Sequence, residues 1–112
     1  MRARAGRRLT VLLLPHDRAG HVGLEVELLR RARRAGLAGA TVLRCEEGFG
    51  SSHRIHRARL LSADRPLEVV LVDQPERIDA FLESVRPLLT GVATTLEDVE
   101  IVELADHDNP QP

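Results

Sequence analysis

Residues 67–91 read LEVVLVDQPERIDAFLESVRPLLTG, and the change of hydrophobic period inside this stretch decides the fold. Leu67 to Val72 is a short, β-branched apolar run, which predicts a buried strand. Asp73 followed by Glu76 three positions later makes a capping-box-like start, and Pro75 falls in a first turn where its missing N–H costs little. Ile78, Phe81, Leu82, Val85, Leu88 and Leu89 then recur at i, i+3, i+4, i+7, i+10 and i+11, one continuous helical stripe. Pro87 should kink or tighten the last turn, and Gly91 should end it.

The same reading extends in both directions. Leu9 to Leu14 predicts a first strand, followed by the turn residues Pro15, Asp17 and Gly20. From Val22 to Ala35 the apolar residues Leu24, Leu28, Leu29, Ala32 and Ala35 predict a helix. Its late Arg30, Arg31, Arg33 and Arg34 complement the helix dipole, and Gly36 stops it. Ala40 to Phe49 predicts a second strand ending in the Gly48, Phe49, Gly50 turn, and Val99 to Leu104 a fourth. Strand, helix, strand, strand, helix, strand is the order of an α+β, ferredoxin-like split βαβ fold (βαββαβ) with a four-stranded antiparallel sheet. The expected division is a disordered basic terminus over 1–7, the folded domain over 8–104 and a polar tail over 105–112.

The 112 residues fit one domain, and 43% hydrophobic with 29% charged is a globular composition. No apolar run approaches the roughly twenty residues of a membrane span. The arginines preceding Leu9 mimic a signal peptide, but the apolar run is too short and lacks a cleavage site. Cys45 is the single cysteine, so the chain has neither an internal disulfide nor a Cys-x-x-Cys metal site. That fits a cytoplasmic protein, with Cys45 expected as a small buried hydrophobe. Net charge is -1, which gives no global case for nucleic acid, yet the charges are segregated. Thirteen arginines face five acids in residues 1–59, and three face twelve in residues 60–112.

With both helices on one face, a four-stranded sheet should alternate apolar and polar residues. Leu12, Leu13 and Leu14 are consecutive, as are Val69, Val70, Leu71 and Val72, so both faces carry aliphatic groups. Leaving such a face wet forgoes roughly 1.5 to 3 kcal/mol per large side chain, comparable in sum to a small domain's stability. Self-association is the expected remedy.

About seventeen residues from Gly50 to Pro66 join the second and third strands, where a hairpin needs two to five. They hold Ser51, Ser52, His53, Arg54, His56, Arg57, Arg59 and Arg65 against one acid, Asp64. Such a cationic loop suits a small anionic ligand or an acidic partner surface, and the bland alternative is a solvated loop with a helical turn around Ile55 to Leu61. His53 and His56 at i and i+3 are a candidate metal pair that would need further ligands, such as His16, His21 or Asp17.

Other chemistries fail by absence. The two phenylalanines, Phe49 and Phe81, give no stacking platform for RNA. Paired cysteines for metal transfer are missing, as is any lysine for Schiff-base chemistry or a P-loop. Asn109 in the tail is the only asparagine, which excludes an acylphosphatase-type site. Ser51 or Ser52 beside His53 makes no oriented triad. The chain reads as a non-enzyme without a cofactor.

Several separated motifs are similar to one family. They are Gly36-Leu37-Ala38-Gly39-Ala40-Thr41-Val42-Leu43-Arg44, Glu47-Gly48-Phe49-Gly50, Arg54-Ile55-His56, and Leu61-Ser62-Ala63-Asp64-Arg65-Pro66 leading into Val69 to Asp73. In order and over roughly residues 8–104 they resemble the PII-like domain of unknown function 190 family. The resemblance implies a trimer with inward-facing sheets, a ligand site between subunits, and a long loop that contacts an enzyme or membrane transporter. It places Gly48, Phe49, Gly50, Ser51 and Ser52 at the base of that loop, where backbone N–H groups approach phosphates. It places Thr90 and Gly91 in a second phosphate loop. With His53, Arg54, His56 and Arg59 these are the candidate ligand-binding residues. The chain departs from the PII proteins in lacking their second-loop lysine and an Arg-x-Arg after the fourth strand, so arginines of the long loop would have to replace them. The rival expectations are a ligand-free interaction protein that docks its basic loop on a transporter, and a metal-binding module using His53 and His56.

Overall fold

The computed structural model of the chain describes residues 1–14, 16–45, 47–49, 55–57 and 66–104. Strand β1 spans Arg2–Leu13, and two short strands, β2 (Arg18–Ala19) and β3 (Val22–Gly23), pair in the turn that follows it. Helix α1 is Leu24–Arg34, β4 is Ala40–Arg44, and β5 (Glu47–Phe49) pairs with β6 (Ile55–Arg57). Then come β7 (Leu67–Asp73), α2 (Pro75–Val85), a 3₁₀ turn over Arg86–Leu89, and β8 (Ala93–Glu103). The main sheet is antiparallel in the order β4-β7-β1-β8, the predicted ferredoxin-like arrangement.

Both helices pack on one face. Leu24, Leu28 and Ala32 of α1 and Ile78, Phe81 and Val85 of α2 form a single core with the odd-numbered residues Leu9, Val11, Leu13, Leu67, Val69 and Leu71 of β1 and β7. The even-numbered residues of those two strands point away from the helices, and Thr10, Leu12, Val70 and Val72 stay half-buried. Leu43 of β4 joins them on that side and is 48% exposed. The second apolar face expected from the consecutive aliphatics is therefore real and, among the described residues, carries no helix.

Several boundaries differ from the sequence reading. Residues 2–7, expected as a disordered terminus, are the first half of β1, paired residue by residue with Asp98–Glu103 of β8. Cross-strand ion pairs supply what hydrophobicity does not: Arg4 with Glu103, Arg7 with Asp98, and Arg8 with Glu97. The partner strand is correspondingly longer than Val99–Leu104. Gly6 is buried because Ile101 lies across it; a Cβ built there would sit 2.6 Å from both Cγ1 and Cδ1 of that side chain. The expected Ala40–Phe49 strand is two, with β4 ending at Arg44 and β5 turning away to pair with β6. Ile55–Arg57 is accordingly strand rather than the start of a helical turn. Residues 50–54, 58–65 and 105–112, with the expectations placed on them, lie outside the described residues.

Asp73 does not cap α2, whose N-cap is Gln74 without a side-chain bond. Its buried carboxylate instead accepts from the backbone N–H of Ala38 at 2.8 Å, the N–H of Gln74 at 2.6 Å and Nε of Arg77 at 3.2 Å. Arg77 also donates to the carbonyl of Gly36. One side chain thereby ties the start of β4 to the start of α2. Gly36 has φ +75° and Gly91 φ +77°, the left-handed turns expected after each helical segment. Pro87 tightens the last turn into the 3₁₀ segment, as its missing N–H requires.

Candidate ligand cleft

Two groups of predicted site residues are placed by two different strands. The first follows β4. The Cys45 N–H donates to the carbonyl of Pro66 at 2.8 Å, which closes the neck of the long loop. Beyond it the β5–β6 ribbon sets Gly48 directly opposite His56 and Phe49 opposite Ile55, so main-chain register brings these candidates together. Cys45 is half-buried rather than buried, and burial, with Glu68 nearby, pushes its thiol pKa up. Gly50, Ser51, Ser52, His53, Arg54 and Arg59 lie outside the described residues.

The second group precedes β8. After the 3₁₀ turn, Thr90 is extended and Gly91 takes its positive φ. The Val92 N–H then donates to the carbonyl of Leu89 at 2.9 Å, and Thr94 Oγ1 donates to the carbonyl of Val92 at 3.1 Å. The turn forms one end of a groove of about 410 Å³ between the end of α2 and the edge of β8, walled by Leu82, Leu89 and Leu96, with Arg86, Thr90 and Thr94 as polar groups. Arg86 is paired with Glu83 on the exposed side of the helix. Carbonyl ends of a helical segment carry partial negative charge, so an anion held here requires a cation, and Arg86 is the guanidinium lining this groove. The sequence reading missed Arg86. Its spacing from Leu82 and Leu89, at i+4 and i−3, was the available signal.

Strand order keeps the two groups apart within one chain. Arg44 pairs with Leu67, Leu67 with Leu13, and the neighbouring Leu12 with Ala93, so both groups stand at the same end of the sheet. They stand at its opposite edges, β4 and β8, three strand spacings or about 14 Å apart. Among the described residues no three His, Cys, Asp or Glu side chains converge as a metal site, and no helix is long and apolar enough to cross a membrane.

A family model described as "Uncharacterized ACR, COG1993", the DUF190 family, matches residues 6–101. A UPF0166 protein of Aquifex aeolicus (strain VF5) is 40% identical over 79 residues, covering 69% of this chain and 74% of that one. Among solved structures, CPII from Thiomonas intermedia K12, a nitrogen regulatory PII-like protein bound to ADP, AMP and bicarbonate, superposes with a TM-score of 0.70. It is 16% identical, with 89% of this chain and 91% of that one covered. A putative PII-like signaling protein from Thermus thermophilus gives 0.65 at 15% identity, over 91% of this chain and 94% of that one. At these identities the two structures establish a shared PII-like fold.

Proposed function

Because the chain belongs to the DUF190 family and has the PII-like fold, we propose that it is a non-enzymatic, cytoplasmic regulator acting as a homotrimer. In this reading it binds a small anion of the adenine-nucleotide class in the clefts between subunits. The loop over residues 50–66 then presents the bound state to an enzyme or a membrane transporter. One observation carries the proposal: the loop base after β4 and the Thr90–Gly91 turn before β8 share one end of the sheet but occupy its opposite edges. A ligand touching both has to bridge two copies. The sheet face that no described helix covers, with Leu12, Val70 and Val72 half-buried, supplies the apolar surface that assembly covers. CPII, a protein of this fold, is bound to ADP, AMP and bicarbonate, which supports the choice of ligand class.

Within the cleft, Gly48 and the residues after it offer main-chain N–H groups, and Arg86 with Thr90 offers a guanidinium and a hydroxyl. Arg54, Arg57 and Arg59 are the proposed replacements for the cations that PII proteins carry elsewhere. The test is calorimetry with ATP, ADP, AMP and bicarbonate on protein whose mass is established by sedimentation equilibrium. Saturable binding of one ligand per subunit by a particle of about three times the chain mass is expected. An empty panel refutes ligand sensing.

The absence of lysine from the whole sequence favours one second reading, a ligand-free docking protein. Loss of partner capture in Arg54→Ala, Arg57→Ala, Arg59→Ala protein beside an empty panel would establish it.

A further inference from the structure

A pocket of about 240 Å³ opens to solvent between the end of α1 and the middle of α2. Its floor is the buried Phe81 and the half-buried Leu37, and its rim the exposed Ala35, Ala80 and Ser84. Two arginines cross from one helical segment to the other at its two ends. Arg31 of α1 donates from Nε to Glu27 at 2.8 Å and from Nη1 to the carbonyl of Ser84 at 3.5 Å. Arg77 of α2 donates to Asp73 and to the carbonyl of Gly36. Ser84 is two turns along α2 from Arg77, which spaces the two bridges about 10 Å apart. Each guanidinium has more N–H donors than these bonds use, and the side chains of Arg31 and Arg77 keep 36% and 43% of their area in solvent. Arg34, one turn beyond Arg31, is exposed and forms no ion pair among the described residues. No described carboxylate lines the pocket. Glu76 and Glu83 are turned about a quarter turn or more around α2 from Arg77 and Ser84, and Asp79 is held by Arg7.

We propose that this interhelical pocket is a docking site for an acidic amphipathic helix of a partner protein. Carboxylates two turns apart on one face of such a helix are themselves about 10 Å apart. They meet the two guanidiniums in charge-assisted bonds, and an apolar side chain between them enters the pocket over Phe81, as in other helix-in-groove contacts. Charge complementarity selects the occupant, since cations at both ends of the pocket reject a basic segment. A lipid surface or a nucleic-acid backbone would use the arginines and leave the apolar floor empty. The late arginines of α1 complement its dipole, which accounts for their position in the sequence but not for the bridge from Arg31 to α2 or the pocket beside it. The site stands next to the start of β4, whereas the long loop leaves from the end of that strand. It also lies on the helix side of the sheet, away from the face that assembly covers. It is therefore a second contact surface, and it depends neither on a bound ligand nor on the trimer.

The probe is a displayed library of helix-forming peptides selected on the full-length protein, with the leading sequences then titrated as synthetic peptides by fluorescence anisotropy. Enriched sequences are expected to carry two acids spaced by two helical turns with an apolar residue between them, and to bind less tightly at high salt. Arg34→Glu and Ala80→Gln change exposed residues, and circular dichroism checks that both fold. Each is expected to weaken peptide binding at least about tenfold, the first by setting like charges together and the second by filling the pocket at unchanged charge. No enrichment over an unrelated protein, enrichment without acids, or peptides that bind either variant like the parent overturns the proposal. Phosphatidylserine vesicles and a DNA duplex are titrated alongside. Binding of either that Arg34→Glu abolishes and Ala80→Gln leaves intact would assign the arginines to a flat anionic surface and overturn the peptide site.

Discussion

Asp73 offers the sharpest test of how the fold is held. The residue is 6% exposed, and its carboxylate accepts from the main-chain N–H of Ala38, just before β4, and from the N–H of Gln74 and the guanidinium of Arg77 at the start of α2. Asp73→Ala leaves all three donors without that acceptor. A donor stripped of its partner costs about 1–3 kcal/mol when water cannot replace it. Ala38 and Gln74 are themselves exposed and regain part of their hydration, so the expected loss is about 2–3 kcal/mol. For a domain of this size that lowers the melting temperature by about 10–20 °C. Asp73→Asn keeps an acceptor oxygen but no charge and should lose about 1–2 kcal/mol. Burial pushes the carboxyl pKa up, and the N–H groups of Ala38 and Gln74, together with Arg77, overcome that and hold it below the ordinary aspartate value. A lowered folded pKa means stability that is fully present above the unfolded pKa, about 3.9, and lost as pH falls through the folded value. The gap between parent and Asp73→Asn, measured by urea unfolding at fixed protein concentration, should therefore be constant from about pH 7 to 5 and narrow below about pH 4. An Asp73→Ala protein within about 0.5 kcal/mol of the parent, inside the range of ordinary surface substitutions, would refute the reasoning. So would an Asn gap independent of pH.

Gly36→Ala, at φ +75°, should cost about 1 kcal/mol in urea unfolding, whereas Gly39→Ala, with open space around the new methyl, should be near neutral. Leu12→Glu, on the sheet face away from α1 and α2, should leave the circular dichroism spectrum of the fold intact and shift the sedimenting mass of the proposed trimer toward a single chain. The half-buried Cys45 thiol, its pKa raised by burial and Glu68, should react with an aromatic disulfide at about pH 7.5 more slowly than a free cysteine peptide; an equal or faster rate would contradict its placement.

Hydrophobic period made the helices legible: the Ile78-to-Leu89 stripe faces the core, with Ile78, Phe81, Val85 and Leu89 buried. Strand ends were less so, for two physical reasons. The first half of β1 is stabilised by arginine–carboxylate pairs across to β8, and a charged segment carries no apolar alternation to read. Arg44 ends β4 because the chain leaves β7 at Cys45 to pair locally with β6, a switch of partner rather than of residue type. The site divided in the same way. Gly48 and His56, both expected as candidate ligand-binding residues, are opposed in register, while Arg86 escaped notice because it is marked by the groove it lines and not by a motif.

The single hydrogen bond from Cys45 to Pro66 has an evolutionary consequence. The chain leaves the sheet after β4 and rejoins it at β7 beside this bond, so the scaffold already holds the two ends of the connection together. Chain-closure entropy rises only with the logarithm of length, and inserting five residues into such an excursion costs about 0.2 kcal/mol. New sequences can be grafted there with almost no loss of stability in the sheet beneath, which makes this segment the natural place for the chain to vary while the sheet stays fixed.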